Sequence, residues 1–110
     1  MAKHINKVEL QGIVGSVRFF PVAGQDSPRL VRFSLATNYC YNTNDGTAVI
    51  DTTWHSLSVL ESRTNALSWL ERGKTVYVEG RIRNVRFVDD YGHDRTITEV
   101  VVEDMYQVNS

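Results

Sequence analysis

A chain of 110 residues, 42% hydrophobic and 23% charged, is sized and composed for one globular domain spanning residues 1–110. It has no apolar run that approaches a membrane span or a secretion signal. Its one cysteine, Cys40, cannot form an internal disulfide, so a cytoplasmic protein with no membrane partner is expected.

Strand signals dominate from the start. His4 to Val14 alternates, with Val8, Leu10, Gly12 and Val14 on one parity, and the phase then shifts to Val17 and Phe19. Gly15 stands at the shift, which predicts a bulge or bend that lets one long strand serve two sides of a small barrel. Pro21 to Pro28 reads as a loop, and Leu30 to Thr37 as a second strand with Val31, Phe33 and Leu35 in register. Asp45-Gly46 marks a hairpin turn, and Val49 to Leu60 is a third strand rich in Val, Ile, Thr and Trp. A helix is predicted next, capped by Ser62 or Thr64, carrying Ala66, Leu67, Trp69 and Leu70 as its apolar stripe and stopped by Gly73. Thr75 to Phe87 is the fourth strand, Asp89 to Asp94 a hairpin loop, and Arg95 to Val108 the fifth strand.

Five strands with a helix between the third and fourth is the element order of the OB-fold, an all-β Greek-key barrel with one helix. That fold binds oligonucleotides or oligosaccharides but does not fix the function, which has to be argued from a site.

The fourth strand offers one. Val76, Val78, Gly80 and Ile82 belong to a core face, while Tyr77, Arg81, Arg83 and Phe87 put rings and guanidinium groups on the other. Aromatic faces with interleaved cations suit a single-stranded nucleic acid, whose bases stack and whose phosphates need neutralising; a solvated face with scattered aromatics is the competing reading. The formal net charge of −1 argues mildly against nucleic acid, but the charge is segregated. Arg72, Lys74, Arg81, Arg83 and Arg86 crowd the fourth strand and its approach, and six acids against one cation follow from Asp89 onward. On the third strand His55, Leu57 and Val59 share the core side. Trp54 and Leu60 share the other, where Trp54 covers a groove, meets a partner, or sits in a small second core under a loop.

Catalysis finds little support. His55 is alone on a core-side face, which fits a structural role or a subunit contact. Asp89, Asp90 and Asp94 crowd a hairpin tip, whereas a metal-dependent nuclease gathers its acids around a cavity. There is no metal-ligand spacing, phosphate-binding loop or nucleophile elbow, so no cofactor and no enzyme activity are expected.

The chain resembles the bacterial single-stranded DNA-binding proteins of replication and repair. The resemblance is carried by Asn6-Lys7-Val8, Leu10-Gly12 and Gly15; by Phe33 to Thr37 and Thr53-Trp54-His55; and by Leu70 to Lys74 and Val76 to Arg81. Gly92 to Arg95 and Thr98 to Val102 complete it. It implies an OB-fold, a homotetramer, and sequence-tolerant binding of single-stranded DNA. The base-stacking positions fall on Trp54, on Phe87 where the family often has tryptophan, and on Tyr41, with Leu60 where it often has phenylalanine. Arg83, Arg86 and Arg72 fall in segments that contact the DNA backbone. His55 falls on a tetramer-contact histidine, and Tyr77 is a further subunit-contact candidate. Two departures stand out. The family's turn after Gly15 is replaced by GSVRFFPVAGQDSPRL, and no linker with an acidic tip follows the fifth strand, so recruitment of replication proteins is in doubt. The alternative is an OB-domain assembly module, as in small primosomal proteins, which mainly binds protein partners.

Overall fold

The computed structural model describes residues 2–22, 29–62 and 65–109. Five strands close into a barrel in the order β1-β2-β3-β5-β4: β1 Val8–Pro21, β2 Arg29–Asn42, β3 Ala48–Leu60, β4 Thr75–Val88 and β5 Asp94–Gln107. All neighbours are antiparallel except β3 and β5, which pair in parallel through Ser56–Glu99, Leu57–Val100 and Ser58–Val101. This is the OB-like barrel expected from the element order.

The first strand behaves as its phase shift predicts. Its first half, Val8 to Ile13, pairs with β4, and its second half, through Pro21, pairs with β2. The register slips between Val14 and Val17, around Gly15, so that Val14 faces Leu35 and Val17 faces Phe33. The extra residue keeps both valines on the core side while the strand turns the barrel's corner. Beyond Pro21, the predicted loop lies outside the described residues from 23 to 28.

Alternation fills the barrel. Val14, Val31, Phe33, Leu35, Leu57, Val59, Val76, Val78 and Val100 are buried, one from every other position of their strands. Gly80 is needed at a crowded point: a Cβ there would overlap the Val101 carbonyl oxygen, next to the register shift between Glu79 and Gly80.

The predicted helix is absent among the described residues; its alternative cap, Thr64, lies outside them. The segment after β3 is instead a chain of turns. Glu61, 4% exposed, receives Arg29 Nε at 2.6 Å and Nη2 at 2.9 Å, and its Oε2 also accepts the Leu67 amide at 2.9 Å. The Leu70 amide then donates to the Leu67 carbonyl, and Gly73 to the Val14 carbonyl. Leu67 and Leu70 end up fully buried and plug the barrel. Their spacing of three serves two successive turns as well as it serves a helix. Ser62, Asn65 and Ser68 are weak helix formers, and so short a helix would be marginal without packing. The Arg29–Glu61 pair supplies the alternative geometry; Arg29 also lies 4.3 Å over the Phe19 ring.

The Cα radius of gyration is 16.6 Å, against about 13 Å for a compact domain of this length. The excess comes from two hairpin arms. β2 and β3 stay paired out to Asn42–Ala48, with Gly46 at φ 84° in the predicted turn, and β4 and β5 out to Val88–Asp94. Both arms run well past the last buried residues of their strands.

Candidate functional site

The outer face of the barrel is best described in rows, since directly paired residues share a side. One row joins Ala36 to Trp54. The next joins Ser34 to Ser56, Ser56 to Glu99, and Glu99 to Arg83. A third runs Arg18–Arg32–Ser58–Val101–Arg81, and a fourth Phe20–Leu30–Leu60. Phe87 continues the Arg83 side of β4 toward the tip of its arm, where it pairs with Arg95.

Trp54 is 62% exposed, a large apolar ring left in water. Its seat is Gly15. A Cβ at residue 15 would lie 2.5 Å from Trp54 Cζ3, 3.0 Å from Cη2 and 2.6 Å from Ser34 Oγ. The bend of β1 is therefore bare at the point where the indole of β3 crosses it. Ser34 Oγ locks this corner, accepting the Ser16 amide at 2.9 Å and meeting Ser16 Oγ at 3.1 Å.

Beside Trp54 the face is polar and positive. Glu99 is buried, and its Oε2 accepts from Arg83 Nε at 3.3 Å, while half of the Arg83 side chain stays exposed. A groove of about 280 Å³ runs over this ground, lined by Ser16, Arg18, Arg32, Ser34, Ser56 and Glu99 among others.

Register divides the predicted site residues. Trp54, Leu60, Arg83 and Phe87 share the outer face, all substantially exposed. Tyr41 pairs with Val49 and falls on the parity of Phe33 and Leu35, so alternation puts it on the opposite face of the β2–β3 arm from Trp54. There it lies 6.1 Å from Tyr39, centroid to centroid. Arg86 pairs with Thr96 and is on the opposite side of the β4–β5 arm from Arg83 and Phe87. Arg72 stands exposed in the turns that lead to β4, away from these rows. His55 is half-buried on the core-side parity, its Nε2 2.8 Å from Thr37 Oγ1. Tyr77 stacks on Tyr106 at 4.8 Å, and its hydroxyl donates to Glu9 at 2.5 Å, which pushes the phenol well above its ordinary pKa.

Arg18, Phe20, Arg32 and Ser34 were not predicted as site residues. The signal was in the alternation: Arg18 and Phe20 fall on the parity opposite Val17 and Phe19, and Arg32 and Ser34 opposite Val31 and Phe33. The Asp89 carboxylate organises its own hairpin. Arg95 Nε donates to it at 2.8 Å, as do the amides of Tyr91 and His93 at 2.9 Å, and these bonds hold the carboxyl below its ordinary pKa. No group of three metal-ligating side chains gathers among the described residues, and no helix there is long and apolar enough to cross a membrane.

Residues 5–108 match the model of the single-strand binding protein family. The chain belongs to that family. Its members are binding proteins, not enzymes. Among family relatives, the chain is 31% identical over 105 residues to the single-stranded DNA-binding protein of Neisseria meningitidis, aligning 92% of itself with 58% of that protein. It is 32% identical over 106 residues to the Xylella fastidiosa protein of the same name, aligning 96% of itself with 64% of that one. The chain thus spans about three fifths of the length of these relatives. The Plasmodium falciparum SSB, solved in complex with single-stranded DNA, superposes with a TM-score of 0.80 over 99% of both chains at 26% identity. The small single-stranded DNA-binding protein of Streptomyces coelicolor shares the family fold at a TM-score of 0.68 and 23% identity, over 93% of each chain.

Proposed function

We propose that this chain coats single-stranded DNA, without catalysis and with little regard to sequence, in replication, recombination or repair. The observation that carries the reading is Trp54: an indole held out in water, backed by the bare bend at Gly15 and flanked by a positive groove. A base stacking on such a ring contributes about 1–3 kcal/mol whatever its identity, because every base has a π face. Phe87 and Leu60 extend the apolar contacts on the same face, and Arg83 meets phosphates. Tyr41 and Arg86 serve the strand where it passes around the two arms, which expose both of their faces, and Arg72 meets its backbone from the turns that lead to β4. The relatives' names and the DNA-bound Plasmodium protein support this reading.

The reading extends to assembly. A homotetramer would use the Tyr77–Tyr106 stack on the β1–β4–β5 side and the His55 neighbourhood as subunit contacts, leaving Trp54 free. A reducing cytoplasm suits the exposed Cys40. A second reading, an assembly module for protein partners, draws on the net charge of −1.

The deciding experiment is a fluorescence-anisotropy titration of a labelled thymidine oligomer with the parent chain and Trp54→Ala. The variant is expected to bind about 5- to 150-fold more weakly, and mixed-sequence oligomers to lose the same factor. Equal binding by the two proteins sinks the DNA-coating reading and leaves the assembly module.

A further inference from the structure

The stacking path through Trp54 and Arg83 leaves Arg18 and Arg32 without a role. These two residues lie directly opposite each other in the β1–β2 register. Both are exposed, and neither forms an ion pair among the described residues. Like charges directly across a ladder repel and destabilise the sheet, so folding alone gives no reason for the pair.

Their surroundings favour an anion. Arg18 and Arg32 line the same groove as the hydroxyl-bearing Ser16, Ser34 and Ser56. The one carboxylate in that lining, Glu99, is already engaged by Arg83. The remaining charge in the groove is positive, and the hydroxyls add neutral donors to it. One row further on, Phe20 at 42% exposure and Leu60 at 58% flank the half-buried Leu30 in an apolar strip. Along the strands the face therefore reads indole, hydroxyls, paired guanidinium groups, apolar strip. Successive rows are two residues, or about 7 Å, apart. That alternation of ring, polar groups, cation and apolar surface matches a chain of bases joined by phosphates.

We propose that Arg18 and Arg32 clamp a phosphate of the bound single strand between them, and that the Phe20–Leu30–Leu60 strip receives the base beyond it. Arg18 lies in GSVRFFPVAGQDSPRL, the segment where this chain departs from the usual family turn, and Arg32 stands two residues beyond it. The inference rests on the DNA-coating reading and lengthens its path past Trp54. A phosphate bridging the two guanidinium groups removes the repulsion that the free protein carries.

The test uses Arg32→Glu and the double variant Arg18→Ala/Arg32→Ala, titrated with a labelled thymidine oligomer across a salt series. Arg32→Glu converts a repelling cross-strand pair into an attracting one, so its melting temperature is expected to rise while its oligomer affinity falls about tenfold or more. A purely structural role moves the two readouts together, so their divergence is diagnostic. The double variant is expected to reduce the slope of log affinity against log salt by about 1.4, since each cation on a single strand accounts for about 0.7. An unchanged slope, or parental affinity in Arg32→Glu, overturns the clamp. So does a double variant that keeps its DNA affinity but loses binding to an acidic peptide, because the pair then serves a protein partner. Trp54→Ala run alongside separates the two claims. If it weakens binding while the arginine variants do not, the clamp alone fails; if none of the three weakens binding, the DNA-coating reading fails with it.

Discussion

Replacing Gly15 with alanine tests the link between the bend of β1 and the proposed stacking ring. The added methyl would lie 2.5 Å from Trp54 Cζ3 and 2.6 Å from Ser34 Oγ. Carbon atoms in contact sit about 3.5–4.0 Å apart, so one neighbour has to move by roughly 1 Å. Ser34 Oγ cannot move without loosening its bonds to the Ser16 amide and hydroxyl, at about 1 kcal/mol each. The indole is 62% exposed, so the ring is what yields. The alanine also restricts the unfolded chain, which returns about 0.5–1 kcal/mol. Net stability should therefore change by no more than about 1 kcal/mol, while Trp54 loses its backing. Losing about half of a stacking contribution of about 1–3 kcal/mol weakens oligothymidine binding by roughly 2- to 15-fold. Anisotropy titration measures the loss, thermal melting checks the fold, and tryptophan emission reports the shift of the ring. In a Trp54→Ala background the Gly15 substitution should cost no further affinity. Full affinity in Gly15→Ala, or the same loss with and without Trp54, would refute the reasoning.

Enlarging the apolar contacts should have the opposite effect: Leu60→Phe and Phe87→Trp, each exposed on the face of Trp54, are expected to tighten oligothymidine binding a few-fold each. No gain from either would remove Leu60 and Phe87 from the path. Glu61 is a stability prediction. The hydrogen bonds from Arg29, then that from the Leu67 amide, hold its carboxyl below the ordinary glutamate range. With a depressed folded pKa, the stabilisation is complete above pH 4.5 and is lost as the pH falls through the folded value, so acid should loosen the plug that seats Leu67 and Leu70. Glu61→Gln should cost roughly 2–3 kcal/mol in urea unfolding at neutral pH, less than a fully buried pair because Arg29 is 30% exposed, and should flatten the loss of stability in acid. An unchanged acid profile would show that another carboxylate governs it.

The barrel was legible where alternation ran unbroken, except at Ile82, which its spacing puts on the core face but which is 46% exposed where β4 runs out into its arm. Val31-Phe33-Leu35 and Leu57-Val59 point inward, as their spacing predicts, and the phase break at Gly15 is a bulge. The helix was misread because two leucines three apart fit successive turns equally well, and the deciding partner of Leu67, the Glu61 carboxylate, was not marked by any periodic signal. Candidate site residues were recognisable by type, but side depends on pairing. Tyr41 and Arg86 carry suitable chemistry, and the ladder turns them away from Trp54 and Phe87. Arg18 and Arg32 become a pair only once β1 and β2 are in register, which no local pattern reveals.

The barrel is closed by unequal seams. β2–β3 and β4–β5 are zipped along almost their whole lengths, whereas β3 meets β5 over three residue pairs. Native-state opening should begin at that seam, with the amides near Ser56–Ser58 and Glu99–Val101 exchanging with solvent through a local event that leaves both hairpins intact. The groove floor lies across the same seam, since Ser56 and Glu99 belong to both. A strand bound there would bridge two halves that otherwise separate easily. Its arrival should then be recorded as slowed hydrogen exchange on both sides of the seam, including at residues that the strand never touches.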